Sequence, residues 1–351
     1  MLGLQGSEGG PVARAADHGI DGGGGVVHRW SWAENTISDL CARRVQPASP
    51  YGLTGIARAA DHLCANDLMG AMGLYLRPTT LDDALAALNG RAMTVLAGGT
   101  DHFPARVMDR PEEDILDITA LDDLRAIERS EREIWVPCLT TWTDLVRAPL
   151  PAAFDGLKQA ARHIGGRQIQ NVATLVGNLC NASPAADGIP PLLAMDARVV
   201  LASRAGRREL PVAAFLLGPR RTERRPDELV LGLRIPVSES ARSCFLKLGA
   251  RRYLVISIAM VAAVAEVSAD GRIAAARIAV GACSPCARRL PALEAALVGQ
   301  RPDPALVRPA HLAELAPIDD IRAPAAYRLQ AALELTRRAV AALAAPVAWA
   351  A

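Results

Sequence analysis

The distribution of apolar residues from about Leu74 onward predicts short strands and helices that alternate along the chain. Apolar positions three and four apart follow Thr79-Thr80 and predict a capped helix that begins near Leu81. Further helices are predicted at residues 152 to 163, 191 to 195, 291 to 297 and 327 to 343. Strands are predicted at residues 93 to 97, 115 to 118, 134 to 136, 198 to 202, 229 to 235, 260 to 267 and 275 to 280. This alternation is typical of domains that mix α-helices with β-sheets.

The first 68 residues have a different pattern from the rest, with the glycine run Gly22 to Gly25 and no sustained periodicity. No buried strand precedes this run and no helix follows it, so we expect a poorly ordered extension rather than a phosphate loop. Met69 and Met72 precede the first patterned segment, which leaves open whether the functional protein includes the extension. A polar stretch near residue 240 predicts a boundary between a domain at 69 to 240 and a smaller one at 241 to 345.

Composition and charge narrow the classes of function. A chain of 351 residues with 51% hydrophobic and 22% charged residues is long enough for two or three folded domains. A net charge of +2 gives no strong field for nucleic acid or an anionic membrane, so neither partner is expected. Neither a long uncharged apolar run nor a leader pattern is visible. We therefore predict a cytoplasmic protein without a membrane span.

The seven cysteines are scattered, which argues against a disulfide framework or a four-cysteine cluster. Cys283 and Cys286 form the only close pair and could be a redox dithiol or half of a metal site. No second pair accompanies them, which favours two inert thiols. No metal-binding residue is predicted.

Two segments carry candidate chemistry. In the first, the predicted strand at 93 to 97 runs into Gly98-Gly99-Thr100-Asp101, where glycines would let backbone N–H groups converge on phosphate oxygens. Taken alone, two glycines after a strand are more often an ordinary turn. The second segment, residues 171 to 187, is rich in small and amide side chains but has no pairing of a nucleophile with a base. It is equally well read as a binding site or as an elaborate loop, and no catalytic residue is predicted.

Together the two segments resemble the FAD-binding subunit of the molybdenum hydroxylases, the family of xanthine dehydrogenase and carbon monoxide dehydrogenase. The first matches the signature A-G-G-T-D, and the second matches N-x-A-T-x-x-G-N-x-x-x-A-S-P-x-x-D, in the same order. Four further matches follow the family order: Leu139 to Trp142, Gly218 to Thr222 with Asp227 to Leu229, Phe245 to Arg251, and Ile318 to Arg322 with Tyr327-Arg328. The resemblance covers roughly residues 72 to 345.

The resemblance implies an α+β fold, with an FAD-binding domain of the p-cresol methylhydroxylase type made of two α/β subdomains. A smaller α/β C-terminal domain of the carbon monoxide dehydrogenase flavoprotein type would follow it.

The resemblance also implies roles for individual residues. The loop that would hold the FAD diphosphate through its backbone comprises Val95, Leu96, Ala97, Gly98, Gly99, Thr100, Asp101 and His102. Thr174, Gly177 and Asn178 would hold the other side of the diphosphate. Asp187 would accept a hydrogen bond from a ribose or ribityl hydroxyl, Ile164 would lie against the flavin ring, and Lys247 would place a cation near the flavin.

Two positions depart from the family pattern. Val176 precedes Gly177 where the family often has two glycines, and Pro219 stands where the family often has an aromatic residue. The first change would narrow the conformational freedom of the loop, although only one glycine needs to lie against the phosphates. The second leaves the local ring contact open.

In the family, substrate is oxidised on a molybdopterin-binding large subunit, and electrons cross two [2Fe-2S] clusters on a small subunit before FAD delivers them to an acceptor. The resemblance therefore implies both subunits as partners and NAD, oxygen or another molecule as acceptor. One alternative is a self-contained flavoprotein reductase or oxidase, for which His102 and His163 are the nearest acid or base candidates by sequence. Another is a docking scaffold that has lost the cofactor, although Gly98, Gly99 and Gly177 argue against it.

Overall fold

The computed structural model describes residues 26–27, 73–106 and 113–344. The helices are α1 Leu81–Leu88, α2 Trp142–Arg147, α3 Asp155–His163, α4 Arg167–Gln170, α5 Leu175–Asn181, α6 Ile189–Ala194, α7 Val212–Phe215, α8 Pro291–Leu297 and α9 Ala325–Ala342. The first strands are β1 Val26–Val27, β2 Tyr75–Arg77, β3 Thr94–Leu96, β4 Ile115–Asp117, β5 Glu128–Arg129, β6 Glu133–Pro137, β7 Arg198–Ser203 and β8 Gly206–Pro211. The remaining strands are β9 Leu216–Gly218, β10 Arg221–Thr222, β11 Leu229–Pro236, β12 Ala241–Leu248, β13 Ala259–Val267, β14 Ile273–Gly281 and β15 Arg288–Arg289.

The first sheet has the strand order β1-β2-β4-β3. Strands β2 and β3 both run parallel to β4, with helix α1 between β2 and β3 in sequence. The predicted capped helix is confirmed, since the Thr80 hydroxyl accepts a hydrogen bond from the Asp83 N–H at the start of α1. Strand β1 lies within the predicted extension and pairs with β2, whereas the other residues of that extension lie outside the described part of the chain.

The second sheet is antiparallel and has the order β5-β6-β11-β7-β8. Its central strand, β11, is buried along most of its length, with only Arg234 and Pro236 exposed. The short hairpin of β9 and β10 precedes β11 and stands apart as a two-stranded sheet.

The third sheet, β12-β13-β14-β15, is an antiparallel meander with two buried faces. One face of its long strands joins the core of the first half of the chain through Ala241, Phe245, Met260, Ala262, Val264 and Ala279. The opposite face forms a second core with α8 and α9 through Cys244, Val261, Ala263, Ile278, Val280, Leu293, Leu297, Ala332, Ala339 and Val340. The strict alternation of the two sets follows from the two-residue repeat of a strand.

The predicted strands are present with small shifts at their ends, and helix α8 has the predicted bounds. Helix α6 differs from the prediction because it begins at Ile189 rather than at residue 191. Its prolines, Pro190 and Pro191, lie in the first turn, where a missing N–H costs no helical hydrogen bond. In the described residues, none of the helices is both long enough and apolar enough to cross a lipid bilayer.

Arg328 joins three segments of the C-terminal region from a side chain that is only 3% exposed. Its guanidinium donates to the Ile258 carbonyl at 2.7 Å, to the Ala282 carbonyl at 3.2 Å and to Asp320 Oδ1 at 2.6 Å. The N–H of Arg322 and the Arg328 guanidinium together hold the pKa of Asp320 down at about 2. A buried cation with several acceptors is difficult to replace, because its removal leaves those acceptors unpaired.

We expect Arg328→Leu to lower the free energy of unfolding by about 3 to 5 kcal/mol, the range for removing one partner of a buried ion pair. Arg322→Ala removes an exposed partner of the same carboxylate and should cost less than about 1 kcal/mol. Urea unfolding measures both changes. The depressed pKa of Asp320 means that its contribution is complete above the unfolded pKa, about 4, and is lost as the pH falls toward about 2. A neutral-pH cost for Arg328→Leu as small as that for Arg322→Ala would contradict this account.

Candidate functional site

A cavity of about 740 Å³ lies between the first and second sheets and is the setting for most of the predicted site. Its wall includes residues of β3 and β11, the segments after β4 and β6, and helix α5. All the predicted site residues line this cavity except Asp187 and Lys247. The fold therefore brings together the two sequence segments that carry the family signatures.

The turn after β3 forms one wall of the cavity, and its two glycines have no side chains that could block access to the backbone. A Cβ atom at Gly98 would overlap the Val172 carbonyl, and Gly99 has φ +65°, with a would-be Cβ 2.6 Å from the Phe103 ring. In the part of the chain that the structure describes, the amides of Gly98, Gly99 and Thr100 donate to no protein acceptor. Backbone N–H groups that have no protein acceptor can donate to the phosphate oxygens of a diphosphate.

The second wall is built around the start of helix α5. The buried Thr174 hydroxyl caps this helix by accepting from the Gly177 N–H at 2.9 Å. The Asn178 side-chain oxygen is already engaged, because it accepts from the Gly188 N–H at 3.2 Å. These two bonds hold the start and the middle of α5 in place on this wall.

Arg220 connects the two walls, and its contact with Asp101 could not be predicted from spacing in the sequence. Its Nη1 donates to Asp101 Oδ2 at 2.7 Å and to Asn181, while its backbone N–H donates to the Ala182 carbonyl at 3.0 Å. Arg220 has φ +58°, an unusual conformation for a residue with a side chain. The only sequence signal is the matched segment Gly218 to Thr222, in which Pro219 does not line the cavity.

The remaining wall is largely apolar. Ile164 and Ile169 line it beside the end of α3, and Ile118, Leu229 and Val230 line it beside the two sheets. A cavity with an amide-rich turn and apolar flanks has the character of a site for a ligand with a charged centre and flat rings.

Asp187 and Lys247 lie outside this cavity and form a buried ion pair. Lys247 Nζ donates to Asp187 Oδ2 at 2.5 Å, the Ser257 hydroxyl donates to Asp187 Oδ1 at 2.5 Å, and both charged side chains are 6% exposed. Burial raises the pKa of Asp187, and the Lys247 ammonium opposes that rise. Lys247 is therefore not a surface lysine, and its cation has a counter-ion within the chain. A carboxylate has lone pairs beyond these two bonds, so the role of Asp187 as a hydroxyl acceptor stays a prediction.

The two histidines considered as acid or base candidates both have depressed pKa values. Burial, followed by the Arg106 guanidinium, lowers the pKa of His102, and burial, followed by the Lys247 ammonium, lowers that of His163. Both rings are thus neutral near pH 7. His102 has a neighbouring carboxylate that sequence spacing did not show, but its Nε2 lies 3.5 Å from Glu113 Oε1, which is long for a hydrogen bond.

The paired cysteines lie away from the cavity wall. The buried Cys283 thiol donates to the Arg328 carbonyl at 3.8 Å, and Cys286 donates to the Leu216 carbonyl at 4.0 Å. Burial raises the pKa of the Cys283 thiol to about 11, so it is protonated at neutral pH. A protonated, buried thiol is a poor metal ligand and a poor nucleophile.

We expect Asp187→Asn and Lys247→Met each to lower the free energy of unfolding by about 3 to 5 kcal/mol, because each leaves a buried charge alone. The double variant should recover part of this loss, since it removes both charges. Urea unfolding of the four proteins gives the coupling. As a control, Arg338→Ala breaks an exposed pair with Glu334 and should change stability by less than about 0.5 kcal/mol. Additive losses in the double variant would show that the two side chains do not depend on each other.

Comparisons with known proteins identify the family of this chain. Residues 69–238 match the model for the FAD binding domain in molybdopterin dehydrogenase, and residues 245–343 match that for the CO dehydrogenase flavoprotein C-terminal domain. The chain is 33% identical over 222 residues to the putative xanthine dehydrogenase FAD-binding subunit of Escherichia coli, covering 60% of this chain and 74% of that protein. It is 27% identical over 273 residues to the carbon monoxide dehydrogenase medium chain of Hydrogenophaga pseudoflava, covering 76% and 95%.

Solved structures give the same result. A chain of the reconstituted CO dehydrogenase from Oligotropha carboxidovorans superposes with a TM-score of 0.72 at 26% identity, covering 79% of this chain and 99% of that one. The α+β fold with an FAD-binding domain and a C-terminal domain is thereby confirmed. The chain is an FAD-binding oxidoreductase subunit and belongs to the medium-subunit family of the molybdenum hydroxylases.

Proposed function

We propose that this chain binds FAD in the cavity between its first two sheets and passes electrons from the [2Fe-2S] clusters of a partner subunit to an external acceptor. The observation that carries the proposal is the turn at Gly98-Gly99-Thr100. Its amides have no acceptor in the described part of the chain, and a side chain at Gly98 would collide with the Val172 carbonyl. The family membership supplies the identity of the ligand.

We assign the diphosphate to the space between the two walls. The amides of Gly98, Gly99 and Thr100 would donate to it from one side, and the backbone at Gly177 and Asn178 would face it from the other. The loop residues Val95, Leu96, Ala97, Asp101 and His102 and the cap Thr174 would shape this space, because all of them line the cavity. Fixed N–H groups of this kind bind an anion without moving.

We assign the flavin ring to the part of the cavity near Ile164. Ile164 follows directly after His163, whose pKa responds to both Lys247 and Asp187, so the ion pair lies close to this end of α3. The pair would tie β12 to the segment that follows α5, beside the ring. Because the Lys247 charge is shared with Asp187, its effect on the flavin would be weaker than that of an unpaired cation.

Bound FAD supplies the hydride and electron-transfer chemistry, and the chain supplies binding, orientation and electrostatics. Relatives named as a medium chain and as an FAD-binding subunit favour an electron-transfer role over the alternative of a self-contained reductase or oxidase.

The proposed partners are a molybdopterin-binding large subunit and a [2Fe-2S] small subunit. Relatives of this chain are named as a medium chain and as an FAD-binding subunit, which are parts of larger enzymes. The scattered cysteines of this sequence give no cluster motif, so the clusters would have to be supplied by another chain. The proposed acceptor is NAD, oxygen or another small oxidant.

We expect Gly99→Val to weaken FAD binding far more than Cys283→Ser does. A branched side chain at φ +65° is strained and meets the Phe103 ring, whereas the Cys283 thiol only contacts a carbonyl. Flavin fluorescence quenching on titration with FAD measures both affinities. An iron signal that disappears in Cys283→Ser would instead make the cysteine pair a metal site, and equal FAD affinities in the two variants would remove the glycine turn from the proposed site.

The electron-transfer role is tested in the assembled enzyme. A complex purified through an affinity tag on this chain should contain FAD, iron and molybdenum. After anaerobic reduction with dithionite and removal of the excess, it should reduce an artificial acceptor. The same complex with Gly99→Val should keep reduced [2Fe-2S] clusters, seen by electron paramagnetic resonance, but lose the transfer to the acceptor. Substrate oxidation by the isolated flavoprotein, without partner subunits, would establish the self-contained alternative.

A further inference from the structure

The described residues that line the cavity carry more positive than negative side-chain charge. Three arginines of the described residues line the cavity, namely Arg106, Arg220 and Arg224. Arg106 Nη2 donates to Glu113 at 3.0 Å, and Arg220 pairs with Asp101 at 2.7 Å. Arg224 has no carboxylate partner among the described residues, and its Nη1 donates only to the Glu228 carbonyl at 2.7 Å.

Two of the three acidic residues within four positions of Arg224, Glu223 and Glu228, lie against Arg208. Both oxygens of the buried Glu228 carboxylate accept from Arg208, at 2.6 and 2.9 Å, and one of them also accepts from the Arg225 N–H. Glu223 lies 4.0 Å from Arg208 as well. Arg224 is a half-buried cation on the wall of the cavity, and one backbone carbonyl leaves most of its donors unused.

The position of Arg224 indicates which part of the ligand it faces. Its bond to the Glu228 carbonyl ties it to the residues that precede the cavity-lining Leu229 and Val230. Burial raises the pKa of the Cys180 thiol to about 12, and the Arg224 guanidinium close to it acts in the opposite direction. These wall residues belong to β11 and α5, whereas the flavin ring is assigned to the end of α3.

We propose that Arg224 is a specificity-determining residue that binds the ADP half of FAD and so distinguishes FAD from flavins that lack it. The inference rests on the proposed placement of FAD in the cavity. The two phosphates of FAD carry two negative charges, and Arg224 is the lining cation that no carboxylate of the described chain neutralises. The planar guanidinium can donate to a phosphate oxygen and also stack on a purine ring.

The test compares three ligands on the full-length chain freed of cofactor. FAD contains both halves, ADP contains only the half assigned to Arg224, and riboflavin contains only the ring. Arg224→Gln should weaken FAD and ADP binding by roughly ten- to hundredfold, the effect of losing a hydrogen bond to a charged group, and should leave riboflavin affinity unchanged. Arg224→Lys keeps the charge and should retain most of the affinity for FAD and ADP.

Arg225→Gln is the matched control, because Arg225 is the exposed neighbour and does not line the cavity. It should change the three affinities by less than about twofold. Raising the ionic strength should weaken FAD binding to the wild-type chain more than to Arg224→Gln, since the lost contact is ionic. If Arg224→Gln also destabilised the fold, FAD and riboflavin affinities would both fall. The ratio of the two affinities would then still show whether Arg224 acts on the ADP half.

Wild-type FAD affinity in Arg224→Gln, or an equal loss for FAD and riboflavin, would overturn the role of Arg224. Either result leaves the electron-transfer proposal intact, since that proposal is judged by acceptor reduction in the assembled enzyme. Failure of the wild-type chain to bind ADP at all would overturn the assignment of the ADP half to this wall.

Discussion

The structure depends on the sharing of one sheet between two cores. Alternate side chains of the long strands β12, β13 and β14 point to opposite faces of the sheet. One face packs in the core of the first half of the chain, and the other packs in the C-terminal core. The same face of β12 that contributes Phe245 also carries polar anchors. Ser243 accepts from the Gly156 N–H at 2.8 Å, and the Phe245 N–H donates to Gln159 at 2.7 Å. Helix α3 is thereby fixed on the sheet by buried hydrogen bonds as well as by apolar contact.

The buried ion pair adds another contact between β12 and the first half of the chain. Lys247 lies two residues beyond Phe245 on the same face of β12 and reaches Asp187, which follows α5 in the chain. The electrostatic link therefore connects the C-terminal sheet to the loop that closes the nucleotide-binding half. Because the pair is only 6% exposed at each side chain, solvent and salt screen it weakly.

The sequence was most informative where structure is local. The helix capped by Thr80, the strand that runs into Gly98 and the helix from Pro291 were predicted because periodicity, caps and turn residues are short-range signals. The signature segments also predicted most of the cavity wall. Contacts such as Arg220 with Asp101, 119 residues apart, and Lys247 with Asp187, 60 apart, left no trace in spacing, because tertiary packing alone creates them. The polar stretch near residue 240 marks the loop between β11 and β12, yet it could not reveal that the next strands would complete the core of the preceding half.

The contact between Gly98 and the Val172 carbonyl restricts which amino acids can occupy position 98. The turn after β3 and the segment before α5 touch there backbone to backbone, with no room for a methyl group. Any side chain at residue 98 would therefore push these two segments apart, whether or not a cofactor is present. The fold itself therefore excludes a side chain at this position, so a substitution would destabilise even a chain that no longer bound flavin.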